Sequence, residues 1–232
     1  MLAKVFSFGI LGIDAYPIEV EIDATRGLPS LSIVGLADVV IKESKERVRA
    51  AIKNSGFEWP CQRLTISLTP SDIKKEGTGL DLAIALGILT ATQQINNQDL
   101  NNYFILGELG LDGSLRPTRG ILPISLALSK SRIRNIIVPY PNAKEASIAK
   151  DVCVWPLRTL KETVEFLNNP DTLKPYKLNL EELFSNRPIY PLDFSEIKGQ
   201  YLAKRALEVA VSGGHNVLMT CTQYYQERGF PL

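Results

Sequence analysis

An α/β fold, an α+β arrangement of two layers, is what this chain predicts, on three observations. Segments of strand period and helix period alternate from the first residues to about residue 167. Apolar residues make up 45% of the 232 residues, enough for a solid core and a smaller second piece. No internal repeat or low-complexity tract interrupts the pattern, and the mean hydropathy of +0.01 is that of an ordinary globular protein.

The elements follow in order. Met1 to Ile13 is apolar, lacks a signal-peptide cleavage site and runs into Asp14, so it reads as a first strand. Ile18-Glu19-Val20-Glu21-Ile22 alternates apolar and acidic residues as a half-exposed strand does, and Leu31-Ser32-Ile33-Val34 follows the Gly27-Leu28-Pro29 turn. From Ala37 to Ser55 the period changes: Ile41, Ser44, Val48, Ala51 and Ile52 line one helical face, and Gly56 stops the helix. Arg63–Leu68 is a strand, and a glycine loop, Lys74-Lys75-Glu76-Gly77-Thr78-Gly79, then leads into a buried helix over Leu80–Leu89. Further pieces fall at Tyr103–Leu109, Leu122–Ser131 and Asn135–Val138. The predicted organisation is a domain over 1–168, a proline-rich linker over 169–192 with a short helix at Leu180–Phe184, the start of a second domain over 193–220, and a tail over 221–232. In the second domain a helix over Tyr201–Val211, a Gly-Gly break and a buried strand over Asn216–Thr220 are expected.

Composition excludes several functions. Lys plus Arg number 26 against 25 for Asp plus Glu, so attraction to nucleic acid has to come from local clustering. Cys61, Cys153 and Cys221 are too far apart for a zinc site or a disulfide framework and are expected to be buried thiols in a cytoplasmic protein. With His215 as the single histidine, no metal site is expected. No segment approaches the ~20 apolar residues of a membrane span, so no membrane partner is expected.

One block is more specific. Gly27-Leu28-Pro29, Ile33-Val34-Gly35-Leu36, Lys42-Glu43-Ser44, Arg47-Val48-Arg49-Ala50-Ala51, Asn54-Ser55-Gly56-Phe57 and Pro60, and onward to Lys75-Glu76-Gly77, resemble the N-terminal part of the ComM/YifB family of magnesium-chelatase-like ATPases. The resemblance runs nearly to Thr220. It implies a domain with the Lon proteolytic fold joined to a P-loop AAA+ domain that binds ATP and magnesium, ring assembly, and a part in DNA branch migration during natural transformation. Ile197, Gly199 and Gln200 resemble the segment that lies against adenine, and His215 the turn before the phosphate loop. Family members continue with Gly-Pro-Pro-Gly-x-Gly-Lys-Ser/Thr, whereas this chain continues Cys221-Thr222-Gln223-Tyr224. A frameshift or truncation is the expected cause, and the chain is expected to hold no cofactor and not to hydrolyse ATP, since backbone N–H groups, a lysine and a hydroxyl are what grip the phosphates and magnesium.

A Lon-like peptidase needs a serine activated by a lysine. The resemblance places Gly79 at the nucleophile and Leu122 at the lysine, so no catalytic residue is expected; Thr78 with Lys74 or Lys75 is the only substitute. For nucleic acid, Lys42, Lys45, Arg49 and Lys53 form one stripe on the first helix, either a track for phosphates or a solvated face balanced by Glu43 and Glu46. Arg116 and Arg119 flank Pro117 in a stretch from Gly113 to Ala143 without acidic residues. The Lon-like domain of RadA ATPases offers an analogy for a non-proteolytic DNA platform. Aromatic residues do not interleave with these charges, so contacts to the backbone of duplex or branched DNA are expected rather than base stacking of the single-strand kind. A surface for neighbouring subunits or another protein is the alternative.

Overall fold

The computed structural model describes residues 1–95, 100–178 and 193–220. It divides into two compact units, Met1–Leu180 and Glu181–Leu232.

The first unit is built on a mixed seven-stranded sheet. Its strands are β1 (Leu2–Leu11), β2 (Asp14–Thr25), β3 (Ser30–Val34), β4 (Arg63–Thr69), β5 (Tyr103–Ile105), β8 (Asn135–Pro139) and β9 (Cys153–Leu157), in the order β3-β4-β2-β1-β5-β8-β9. A separate ribbon pairs β6 (Glu108–Leu109) with β7 (Leu115–Arg116). Only β1 with β2 and β2 with β4 are antiparallel within the large sheet; β3 with β4, β1 with β5, β5 with β8 and β8 with β9 run parallel.

Strand alternation sets which face is buried. Ile18, Val20, Ile22 and Ala24 of β2 lie inward beside Leu64, Ile66 and Leu68 of β4, in register at Val20–Leu68 and Ile22–Ile66. Glu19 and Glu21 point to the other side, where the Lys4 ammonium lies 2.5 and 2.8 Å from their carboxylates. The inward face is covered by α1 (Val39–Asn54), α2 (Asp81–Ala91) and α5 (Leu160–Asn168). A second, smaller core of Phe8, Phe104, Ile124, Leu128, Ile136 and Val138 forms where α3 (Ile121–Ser129) and the short α4 (Ala143–Ala146) pack on the opposite face. One end of the sheet is therefore two layers deep, as expected, whereas the other is three, because α3 and α4 cover the second face there.

α1 buries Ile41, Ser44, Val48, Ala51 and Ile52, the face its period predicts. Asp38 caps its start by accepting a hydrogen bond from the Ile41 N–H at 2.8 Å, and Gly56 takes φ +87° just past its end. Every residue of α2 is buried, and at Gly87 the helix packs so close to β2 that a Cβ would fall 2.1 Å from Ile22 Cδ1 and displace that side chain. Past α5, Leu173 packs on the larger core and Tyr176 on the smaller, its N–H donating to the Val154 carbonyl at 2.8 Å. The short helix expected at Leu180–Phe184 lies outside the described residues.

Two expectations are overturned. Cys61 and Cys153 are exposed, not buried, because Cys61 sits in the loop before β4 and Cys153 opens the edge strand β9; Cys221 lies outside the described residues. In the second unit the helix extends over Tyr201–Gly213 (α6), but Asn216–Thr220 is an exposed irregular segment rather than a buried strand. No strand is described in that unit for it to pair with, and Val217, Leu218 and Met219 are left accessible. Among the described residues no helix is long and apolar enough to cross a membrane.

Candidate functional site

The glycine loop before α2 is held by backbone bonds. The Lys75 N–H donates to the Leu36 carbonyl and the Asp38 N–H to the Lys75 carbonyl, both at 3.1 Å, tying the loop to the segment between β3 and α1. Gly79 receives the Gly107 N–H at 3.0 Å and offers only backbone, although a Cβ there would have 3.7 Å of clearance from Thr118. Leu122 is the second residue of α3, with its N–H bonded to Glu145 Oε1 at 2.9 Å. The substitute pair does not assemble either. Thr78 Oγ1 donates to Glu108 Oε2, and Lys74 Nζ lies 2.7 Å from Glu76 Oε1. Lys75 is 1% exposed, its amine has no hydrogen-bond partner among the described residues, and burial holds its pKa below the ordinary lysine value.

A charged network lies beside this loop. Arg47 of α1 grips the buried Asp81 carboxylate with two bonds, Nε to Oδ2 at 3.0 Å and Nη2 to Oδ1 at 3.3 Å, and the Leu109 N–H adds a third at 3.4 Å. Desolvation still outweighs these contacts and pushes Asp81 up to about 6, whereas the Asp81 bond raises the Arg47 pKa. Glu108 also lies 4.0 Å from Arg116 Nη1. Arg116 and Arg119 are both exposed.

On α1 itself Lys42, Lys45, Arg49 and Lys53 are all exposed, and none of the four forms an ion pair with Glu43 or Glu46 among the described residues. The Arg49 guanidinium lies 5.8 Å from the centre of the Trp59 ring. Together with β3 and the loop before β4, Lys45, Glu46, Arg49 and Trp59 line a cleft of about 360 Å³, and the exposed Cys61 is part of its lining. An aromatic ring thus interleaves with the basic stripe, against the expectation from chain order, because the turn after α1 folds Trp59 back along the helix. Arg116 and Arg119 do not line the cleft that Lys45 and Arg49 share. Arg47 and Asn54, on the other flank of α1, face Asp81 and the 108–113 ribbon, with Asn54 Nδ2 donating to the Leu111 carbonyl at 2.7 Å.

The Arg47–Asp81 pair and Trp59 escape a reading by motif. The first left a signal, since a single aspartate opens an otherwise apolar run from Leu80 to Leu89 and needs a buried partner.

In the second unit Ile197, Gly199, Gln200 and His215 are exposed, with Gly199 and Gln200 at positive φ ahead of α6. Two nearby cations are committed: Lys204 Nζ donates to the Ile197 carbonyl, and Arg205 pairs with Glu208 at 3.0 Å. Neither of these two side chains is free to meet the phosphates of a nucleoside triphosphate, which are gripped by a convergent set of backbone N–H groups and a lysine.

A mixed sheet with a Lon-like glycine loop, followed by a helical segment opening a second unit, defines an α/β module of the magnesium-chelatase type. The model for subunit ChlI of Mg-chelatase matches residues 20–142, and that for magnesium chelatase, subunit ChlI, matches residues 193–223. The chain belongs to this family, which takes in the ComM and YifB proteins. It is 38% identical to competence protein ComM of Haemophilus influenzae over 220 residues, covering 94% of this chain and 43% of that protein. It is 37% identical to the uncharacterized protein YifB of Escherichia coli, covering 94% and 42%. Lon protease 2 of Bacillus subtilis is 26% identical over 184 residues, 71% of this chain and 32% of that protein. The chain thus spans less than half the length of the ComM and YifB relatives it matches.

Proposed function

We propose that this chain is a non-catalytic, DNA-engaging N-terminal module of a ComM/YifB-type ATPase. The observation that carries the reading is the α1 stripe: Lys42, Lys45, Arg49 and Lys53 are exposed on one flank and free of carboxylate partners among the described residues. Such cations displace the counterions condensed on the phosphates along a strand, a gain that needs no base-specific contact. Gly79 and Leu122 supply neither a nucleophile nor a base, and the Thr78 hydroxyl is engaged by Glu108, which favours a platform over a peptidase. In the longer relatives this module would serve a cytoplasmic, ring-forming motor that binds ATP and magnesium and acts in DNA branch migration; the name of the Haemophilus relative points to competence.

Titration of the chain with duplex and branched DNA across a salt series tests this. Affinity is expected to fall with a log–log slope of roughly −3 to −4 if four phosphates are met. Reversing Lys42, Lys45, Arg49 and Lys53 to Glu should abolish binding, whereas reversing Arg116 and Arg119 should weaken it less. Binding that survives reversal of the stripe overturns the assignment.

A second reading, contact with neighbouring subunits, is favoured by Leu28, Leu36 and Val39, which are 88%, 55% and 67% exposed around the edge strand β3. Sedimentation of the chain with Leu36 and Val39 changed to Ser separates it from the first.

A further inference from the structure

The cleft between α1 and β3 has a composition that a simple phosphate track does not need. Two cations, Lys45 and Arg49, lie beside the half-buried Trp59 and the Pro60 ring, and Glu46 is the acidic residue of the lining. The volume of about 360 Å³ is at the small end of the range of roughly 300–1,000 Å³ for small-ligand sites. That suits one monomer unit rather than a duplex. Trp59 under the Arg49 guanidinium restrains that side chain, so its remaining N–H groups meet an anion with less loss of freedom.

We infer that this cleft is a site for a single unpaired nucleotide, with the phosphate held by Lys45 and Arg49 and the planar base lying against the Trp59–Pro60 wall. The inference rests on the reading of the α1 stripe as a nucleic-acid surface and adds what that reading leaves open, a preference for unpaired strands. In a continuous duplex the bases are stacked inside and only phosphates reach the protein; at a branch or a frayed end a base is free to enter an aromatic-walled cleft. The same chemistry is found in a free mononucleotide, so the source has to be distinguished by experiment. Glu46 opposes the phosphate, which makes the site a moderate binder that one substitution can strengthen.

Cys61 lines the cleft, and Cys153 is an exposed thiol on β9 outside it, so one molecule carries both a probe and its control. The full chain is alkylated with iodoacetamide alone and with a single-stranded oligothymidylate, thymidine monophosphate or inorganic phosphate, and the two thiols are followed separately by peptide mass analysis. The single strand is expected to slow Cys61 several-fold without slowing Cys153. Protection by the mononucleotide at comparable monomer concentration would identify a free nucleotide as an equal ligand; protection by the strand alone would assign the site to nucleic acid. Either supports the cleft. Arg49→Gln should weaken protection about tenfold, as expected when a charge-assisted hydrogen bond is removed. Glu46→Gln should strengthen it, a gain that no loss of folding can imitate. A strand that binds in anisotropy while Cys61 reacts at its free rate overturns the cleft and leaves the stripe standing. No binding of any DNA overturns both. Equal protection by inorganic phosphate overturns recognition of the base.

Discussion

The two flanks of α1 carry the same kind of residue in opposite circumstances. On one flank Arg47 is half-buried and spends its guanidinium on the Asp81 carboxylate beneath the glycine loop. On the other, Lys42, Lys45, Arg49 and Lys53 reach solvent without a carboxylate partner among the described residues. A cation that answers a buried charge is part of the fold, whereas a cation with no such obligation is available to a ligand. The difference follows from the two cover elements: α2 and the 108–116 ribbon close over one side, while the other ends at the edge strand β3.

The sharpest way to break this comparison is Arg47→Ala. It leaves the Asp81 carboxylate buried with one backbone N–H at 3.4 Å, and removal of one member of a buried pair costs about 3–5 kcal/mol. Urea unfolding at pH 7 should show that loss. The double variant Arg47→Met with Asp81→Leu should recover most of it, since an apolar pair of similar volume removes both desolvation costs. A single variant that unfolds like the parent would place Arg47 with the free cations.

Next in size is a pH effect at the same pair. Asp81 is raised from 3.8 to about 6 in the folded chain, so between these values the folded state holds a proton that the unfolded state has released. Its contribution is fully present below pH 3.8 and is lost as pH rises to about 6. The loss is about 3 kcal/mol at most, because each pK unit is worth 1.36 kcal/mol. Other carboxylates titrate in the same range, so the measurement is the difference in stability between the parent and Asp81→Asn from pH 3.5 to 7. A flat difference would show the carboxylate to be solvated.

How much of this was legible in the sequence depends on whether a property is periodic or spatial. The buried face of α1 and the inward face of β2 follow from periods of 3.6 and 2, so Ile41 through Ile52 and Ile18 through Ile22 could be read directly. The family block reached the glycine loop and the bare Gly79. Pairings between distant residues carry no periodic mark: Arg47 finds Asp81 across 34 positions, and Trp59 meets Arg49 only because the chain turns back after Gly56. The strand expected at Asn216–Thr220 fails for a related reason. An apolar run becomes a strand when a neighbour offers a ladder, and no strand is described in that unit.

A smaller effect separates a buried cation with no partner among the described residues from both flanks. Lys75 is enclosed, its amine unbonded there, and its pKa is lowered by desolvation. Lys75→Met keeps the stem and removes the charge, so it should raise stability by about 1–2 kcal/mol, within the cost of burying an unsatisfied polar group. The gain should shrink as pH rises toward 10.5, because the folded amine loses its proton before the unfolded one does. A destabilised Lys75→Met would mean that the amine serves a group the fold depends on.

The smallest expected change tests the free flank directly. Lys42→Gln and Lys53→Gln each remove an exposed charge with no ion-pair partner among the described residues, so each should shift unfolding by less than about 0.5 kcal/mol. Each should also reduce the salt slope of DNA binding by about 1, as expected when the protein neutralises one phosphate fewer. Stability and binding therefore respond in opposite proportion on the two sides of one helix: Arg47 moves the first, and the stripe moves the second. If Lys42→Gln and Lys53→Gln cost as much stability as they cost binding, the stripe is holding the fold together and the division of labour across α1 does not exist.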